Sequence, residues 1–122
     1  MKKLSLTARI LFALPFGIFG LNHFLMVDFF TGMLTSFIPG TGFTVLLTGL
    51  FLIAASIAII LKKYVRIACY LLALMLLVFI LTIHVPGLFD PATANTSLMQ
   101  LLKDTSLMGG ALLIAASGDE VF

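Results

Sequence analysis

Two apolar runs joined by a short basic turn fill residues 42–85, GFTVLLTGLFLIAASIAIILKKYVRIACYLLALMLLVFILTIHV. Each run is close to the ~20 residues that a helix needs to cross ~30 Å of hydrocarbon. Both runs are continuous and lack the alternation of polar and apolar positions that a membrane-spanning strand shows. The turn between them carries Lys62, Lys63 and Arg66. The stretch therefore predicts two membrane-crossing helices joined by a basic turn at one membrane surface.

A similar apolar run occurs once on each side of this pair. The chain of 122 residues is 61% hydrophobic and only 10% charged, and its mean hydropathy is +1.24. A soluble domain of this length cannot bury so much apolar surface, so the composition indicates an integral membrane protein. We therefore predict an all-α protein, a four-helix bundle embedded in the membrane. Its single domain covers residues 1–122, with helices at about residues 6–26, 42–61, 65–85 and 98–116.

Charge and cysteine content argue against several other classes of protein. The net charge is only +2, and the basic residues stand in small groups beside apolar runs, so we expect no nucleic-acid partner. The single cysteine, Cys69, excludes an internal disulfide and the paired cysteines of membrane thiol-oxidising enzymes. Proton-coupled export by a compact carrier needs a carboxylate deep in the bilayer, whereas the acidic residues here lie toward helix ends or loops. Export is therefore disfavoured.

The basic residues also predict the orientation in the membrane. Cytoplasmic loops and flanks are enriched in Lys and Arg. Of the seven basic residues, all but Lys103 flank the first helix or lie between the second and third. We therefore expect a multi-pass protein of the cell (inner) membrane, with both termini cytoplasmic and two loops on the outer side.

The two outer loops differ in character. The first, residues 27–41, mixes Phe and other apolar residues with Thr, Ser and Gly, and it ends near a Pro-Gly turn signal. It predicts a short interfacial or re-entrant segment. The second, residues 86–96, is rich in turn-forming residues and begins with Pro86. Ser97 and Gln100 then fit a capping box, which predicts the start of the fourth helix there.

One stripe of the first helix carries aromatic rings and a histidine. Phe12, Phe16, Phe19 and His23 recur at helical spacing. The imidazole therefore stands at the end of a wall of rings, with Asn22 beside it in the sequence.

More polar residues are expected on the same side of the membrane. His84 lies at the outer end of the third helix, and Lys103 and Asp104 enter from the outer side on the fourth. Ionisable residues inside a membrane segment are costly, and they usually face a bundle interior, a cavity or a partner. We therefore predict a functional site at the outer side of the bundle. Its predicted catalytic residues are His23, His84, Lys103 and Asp104, and its predicted cofactor-binding residues are Phe16, Phe19 and Asn22.

Each of these residues also has an ordinary interpretation. A histidine at a membrane interface is often a wet surface residue. Lys103 and Asp104 lie at the waterline if the fourth helix begins among the headgroups. The phenylalanine stripe is also compatible with simple packing or with lipid contact. At the level of the sequence these interpretations stay open.

Two cofactors suit a pair of outer histidines. Haem b needs facing imidazoles at equal depth, but 18 residues separate Arg66 from His84 and only 14 separate Arg9 from His23. Haem b is therefore the weaker choice. A quinone needs hydrogen-bonding groups, a proton-exchanging group and aromatic walls, all of which are present. The chain has no Cys-x-x-Cys-His, His-Glu-x-x-His or glycine-rich phosphate motif, and no metal site is predicted.

Four short stretches and one histidine resemble motifs of a known family. They are GLNHF at 20–24, FIPG at 37–40, KD at 103–104, MGGALL at 108–113 and His84. The family is the DoxX-like family of small bacterial and archaeal membrane proteins, and the resemblance spans most of the chain. It implies a four-helix membrane fold and, as in some members, quinone-dependent redox chemistry beside a larger partner subunit. His23 matches the first-helix histidine of the family and Lys103 its helix-four lysine, whereas Asp104 stands where asparagine is common.

These observations predict a DoxX-like, redox-associated membrane subunit with an outer-facing pocket accessible to quinone. If it is an enzyme, it belongs to a quinone-linked oxidoreductase. The alternative is a non-catalytic membrane scaffold or assembly subunit of a larger complex. In that case its Gly and Ala faces bind a partner membrane protein or a second copy of the chain.

Overall fold

The structure, a computed structural model, describes residues 2–26 and 41–117, and all regular structure in this part of the chain is helical. Helix α1 spans Lys2–Leu25, α2 spans Thr41–Ile60, α3 spans Val65–Phe79 and α4 spans Ala94–Ser117. Helix α3 continues directly into a π-helical segment, Ile80–His84, and a last α-helical turn, Val85–Gly87. The all-α prediction is confirmed. The segment predicted to be interfacial or re-entrant falls on residues 27–40, outside the described residues.

Three of these helices are long and apolar enough to cross a membrane. The spans are Lys3–Leu25, Gly42–Ile60 and Val65–Gly87. Many large apolar side chains point outward from them, for example Phe43, which is 71% exposed. Such a surface is costly in water and suits contact with lipid tails. The prediction of a membrane protein is therefore confirmed for three spans, and α4 as a fourth span stays a prediction.

Helices α1 and α2 form a close antiparallel pair through small residues. A Cβ added to Gly20 would lie 2.7 Å from the Gly49 carbonyl oxygen, and one added to Gly49 would lie 2.6 Å from Cβ of His23. At the other end of the pair, Ser56 Oγ donates a hydrogen bond of 2.8 Å to the Ala13 carbonyl. The two backbones therefore approach closely, as membrane helices do where glycines face each other.

Helices α3 and α4 form the second antiparallel pair. In both pairs an arginine of one helix donates a hydrogen bond to a carbonyl in the last turn of the other. Near the start of α1, Arg9 Nη1 donates to the Ile60 carbonyl at 3.1 Å. Near the start of α3, Arg66 Nε donates to the Ala115 carbonyl, also at 3.1 Å. Carbonyls in the last turn of a helix have no intrahelical partner, or a frayed one, so a cationic donor stabilises them. Both arginines lie at the same end of the bundle, next to the turn between α2 and α3.

The predicted capping box at Ser97 is wrong, because α4 begins one turn earlier. Ser97 N donates to the Thr93 carbonyl at 2.8 Å, as in the interior of a helix. The Asp90 carboxylate accepts from the Ala92 amide at 3.0 Å, and this tight turn lets the helix start at once. The Ser97 side chain instead packs against Gly87, where an added Cβ would collide with its hydroxyl.

Candidate functional site

A large cavity lies between the α1–α2 pair and the α3–α4 pair. Its volume is about 1080 Å³, and all four helices contribute to its wall. Most of the lining is apolar, which is typical of small-molecule sites with a few placed polar groups. The polar lining residues are His23, Thr44, Thr48, Thr82, His84, Gln100, Lys103 and Asp104. Because both pairs are antiparallel, these residues gather at the end of the bundle that is remote from the two arginines.

The aromatic stripe predicted on α1 forms one wall of the cavity. Phe12, Phe16, Phe19 and His23 all line it. The rings of Phe12 and Phe16 have centroids 5.3 Å apart, and the Phe19 ring meets the His23 imidazole edge-on at 4.9 Å. These are favourable aromatic arrangements. The helical spacing therefore predicted this wall correctly.

His23 is fixed in position at the polar end of this wall. The residue is only 4% exposed. Its Nδ1–H donates a hydrogen bond of 2.8 Å to the Phe19 carbonyl, one turn earlier in α1. A carbonyl can only accept, so the hydrogen bond assigns the proton to Nδ1. A Cβ added to Gly49 would lie 2.6 Å from Cβ of His23, so α1 and α2 are in close contact at this residue.

His84 and Asp104 form a buried hydrogen-bonded pair across α3 and α4. His84 Nε2 lies 2.7 Å from Asp104 Oδ2, and each side chain is 8% exposed. The carboxylate accepts only, so the imidazole donates Nε2–H to it. A short bond to a charged acceptor is among the stronger hydrogen bonds in proteins. The pair therefore orients the His84 ring against the cavity.

The π-helical segment is what turns His84 toward Asp104. In a regular α-helix residues advance by about 100°, so His84 would lie about 80° around the axis from the buried Leu76. The π segment has a wider turn, in which Val85 N donates to the Ile80 carbonyl five residues back. This extra residue in the turn returns His84 to the buried face of α3. Pro86 supplies the cause, since it has no N–H to donate and its ring excludes the carbonyl four residues earlier.

Lys103 completes the charged group at the edge of the cavity. Its Nζ lies 3.7 Å from Asp104 Oδ1, and its side chain is 56% exposed. The ammonium therefore sits where it can reach water or headgroups while it compensates the buried carboxylate. Among the described residues, this end of the cavity thus brings one cation and one anion together.

Six of the seven predicted site residues line this cavity; they are His23, His84, Lys103, Asp104, Phe16 and Phe19. Asn22 lies outside the wall, because its position on α1 is about 100° away from His23. Four polar lining residues were not predicted: Thr44, Thr48, Thr82 and Gln100. Gln100 had a signal, since it precedes Asp104 by four residues and so shares its helix face. No sequence signal pointed to Thr48, because its position in the cavity wall depends on how α2 packs against the other helices.

The arrangement does not suit haem or a metal ion. In the described residues, no group of three or more His, Cys, Asp or Glu side chains could hold a metal. Bis-histidine haem ligation needs an accessible nitrogen on each ring. Nε2 of His84 is engaged by Asp104, and Nδ1 is bonded to the ring carbon that carries Cβ, so it can accept a small donor from the cavity but is too close to α3 for a porphyrin ring. We therefore find no fit for haem at this pair.

Comparisons with protein-family models, curated proteins and solved structures gave no match. The function is therefore inferred from the cavity and the groups that line it.

Proposed function

We propose that the protein binds a quinone in the cavity between its two helix pairs and acts as a redox-associated subunit of the cell (inner) membrane. The observation that carries this proposal is the buried His84–Asp104 hydrogen bond in the wall of a large, mainly apolar cavity. Membrane quinones combine a flat ring, two oxygens and an apolar tail. The cavity offers a counterpart to each of these parts.

The ring and tail of a quinone match the apolar part of the cavity. The Phe16 and Phe19 side chains of α1 provide faces and edges for an aromatic ring. Beyond them, the end of the cavity toward the arginines is lined by Leu, Met and Phe residues such as Leu11 and Phe51. An isoprenoid tail placed there leaves the ring oxygens at the polar end, near the histidines.

The ring oxygens match the polar end. A general acid or base must lie within hydrogen-bond reach of the proton that it transfers. His84 is held by Asp104, and His23 by the Phe19 carbonyl, so both imidazoles are oriented before a ligand arrives. In this proposal the imidazoles bind and exchange protons with the ring oxygens. Electrons pass to or from a partner subunit.

The proposal includes the orientation predicted from the basic residues. With both termini cytoplasmic, Arg9, Arg66 and the turn at Lys62 and Lys63 face the cytoplasm, and the polar end of the cavity faces outward. Lys103 and Asp104 then lie toward the outer surface of α4, which lowers the cost of charge in a fourth membrane span. The DoxX-like assignment belongs to the same proposal. It is supported by the presence of His23 and Lys103 in the lining of the same cavity.

The test is quinone-dependent stabilisation of the protein purified in mild detergent. A decyl-substituted benzoquinone should raise the Tm by several degrees, because a ligand that binds only the folded state stabilises it by about 2.7 kcal/mol at 100 times its Kd. His23→Ala should remove most of this rise. Asp90→Asn is the control, since Asp90 lies in an exposed turn and an amide oxygen can still accept from Ala92 N. An unchanged Tm in the unaltered protein, together with no quinone in extracted lipophiles, would overturn the proposal.

A second candidate function is that of a membrane scaffold or assembly subunit. The observation that favours it is Gly109 on α4, where an added Cβ would meet nothing within 4 Å. An exposed glycine on a membrane helix permits close approach of a partner helix. Gly109→Leu should then abolish co-purification of a partner membrane protein or a second copy, and His84→Ala should leave it intact. Gly110 is a poorer site for this test, because its Cβ position already contacts Phe12 at 3.4 Å.

A further inference from the structure

We propose that the cavity selects the reduced, hydroxyl-bearing form of its ligand, a hydroquinone, because His84 presents a hydrogen-bond acceptor to it. This inference rests on the proposed function, since it concerns the redox form that the same site prefers. The argument uses the tautomer of one histidine and the charges around it.

The Asp104 carboxylate determines which nitrogen of His84 carries the proton. It can only accept, so the Nε2 at 2.7 Å from Oδ2 is the protonated nitrogen. In a neutral imidazole the other nitrogen, Nδ1, then has a lone pair and no proton. Within residues 2–26 and 41–117 the only hydrogen bond of the His84 ring is the one to Asp104. His84 is 6% exposed and lines the cavity, so Nδ1 is the polar atom of this ring left for a ligand.

The charges of His84, Asp104 and Lys103 balance when the imidazole is neutral. The Lys103 ammonium lies 3.7 Å from Asp104 Oδ1 and already compensates the carboxylate. With a neutral His84, this group of three side chains has no net charge. A second cation would leave an uncompensated charge beside a mainly apolar cavity, which costs free energy.

An acceptor at this position distinguishes the two redox forms of a quinone. A hydroquinone O–H donates to the Nδ1 lone pair, whereas a quinone carbonyl only accepts and meets it lone pair to lone pair. Lys103 and Gln100 do not cancel this preference, since they can donate to a phenolic oxygen as well as to a carbonyl. His23, whose ring proton is on Nδ1 and is donated to the Phe19 carbonyl, offers a quinone carbonyl no donor either. The difference between the two forms therefore falls on the two imidazoles. When a buried acceptor has no donor, binding loses the hydrogen bond and also carries the desolvation penalty of that acceptor.

The experiment measures the binding of three ligands that share one ring and one decyl tail to the full chain in detergent, under anaerobic conditions. They are a decyl-substituted benzohydroquinone, the matching quinone, and the dimethyl ether of the hydroquinone, which has the same oxygens and no O–H. Isothermal titration should give a Kd for the hydroquinone about tenfold lower than for the quinone or the ether. Equal affinity of hydroquinone and quinone would overturn the inference and leave quinone binding intact. Absence of binding by all three would overturn the proposed function itself.

Asp104→Asn tests the cause of the preference. The Lys103 ammonium attracts an amide oxygen to the Oδ1 position, so the amide nitrogen is left at the Oδ2 position and donates to His84 Nε2. The imidazole must then carry its proton on Nδ1 and becomes a donor toward the cavity, as happens when an orienting carboxylate is replaced by an amide. The preference for the hydroquinone should be largely lost, with the two Kd values becoming nearly equal, because His84 then donates to a quinone carbonyl while His23 is unchanged. Asp90→Asn should keep the original preference, and an unchanged preference in Asp104→Asn would refute the role assigned to the pair.

Discussion

The approach of α1 to α2 at Gly49 gives a prediction that links packing to the site. An alanine Cβ at this position would lie 2.6 Å from Cβ of His23 and 2.8 Å from the Gly20 carbonyl oxygen. Non-bonded carbon atoms prefer about 3.5–4.0 Å, so the helices must separate by about 1 Å. Backbone atoms are on both sides of the contact, and no side-chain rotation can relieve it.

The size of the effect follows from comparing two glycines. Overpacking of this kind costs about 1–3 kcal/mol, whereas exchange of glycine for alanine in a helix gains about 1 kcal/mol in propensity. Gly109→Ala receives the same gain without the clash, because nothing lies within 4 Å of its Cβ position. The difference in the free energy of unfolding between the two variants therefore isolates the steric cost. We expect Gly49→Ala to be less stable than Gly109→Ala by about 1–3 kcal/mol.

The assay is unfolding of each purified variant in mixed detergent micelles with increasing denaturing detergent, followed by circular dichroism. The same samples give the Tm change on addition of decyl-substituted benzoquinone. Gly49→Ala should lose part of this change as well, because the clash acts directly on Cβ of His23. Equal unfolding curves for the Gly49 and Gly109 variants would refute the reasoning, since they would show that α1 and α2 do not meet at these glycines.

Two more predictions concern residues outside the clash. Pro86→Ala restores an N–H donor after the π segment, so the helix should relax toward regular α geometry and turn His84 away from Asp104. The Kd for the benzohydroquinone should then rise about tenfold, which corresponds to the loss of one hydrogen bond. An unchanged Kd would show that Pro86 does not maintain the π turn. Ser56→Ala removes the 2.8 Å hydrogen bond to the Ala13 carbonyl and should cost about 0.5–1.5 kcal/mol of unfolding free energy in the same detergent assay. Its ligand affinity should stay unchanged, because Ser56 lies outside the cavity wall.

The helices could be predicted from the sequence because lipid imposes a simple rule. Every backbone group must be paired within the segment, so continuous apolar runs of about 20 residues become helices. The ends of α3 and α4 were harder. Pro86 and Gly87 suggested the start of a loop, but in the structure they continue the helix, which passes through a wide turn where Val85 N donates to the Ile80 carbonyl. The start of α4 depends on the turn at Asp90, which local composition alone did not place.

At the site, too, some features could be predicted from local sequence patterns and others depend on how the helices pack. Helical spacing grouped Phe16 and Phe19 with His23, and all three line the cavity, whereas Asn22, chosen because it precedes His23 in the sequence, lies outside the cavity wall. The same spacing argument would have excluded Asn22, since it lies off the stripe. The contact between His84 and Asp104 was beyond a local pattern. It depends on the rotation of α3 after the π segment and on its packing against α4. Neither of these produces a repeating pattern of residues in the sequence.

The two ends of the bundle divide stability from binding. The buried apolar cluster, which includes Ile59, Cys69 and Ala115, lies in the half next to the turn between α2 and α3, and the two arginine hydrogen bonds lie in the same half. The turn itself is tight, with left-handed backbone at Lys62 and Tyr64 (φ 61° and 55°). Among the described residues, the buried groups of the opposite half include His23, His84 and Asp104, which line the cavity. Substitutions there remove few apolar contacts, so they should change ligand affinity more than folding stability, while substitutions in the apolar half should do the reverse.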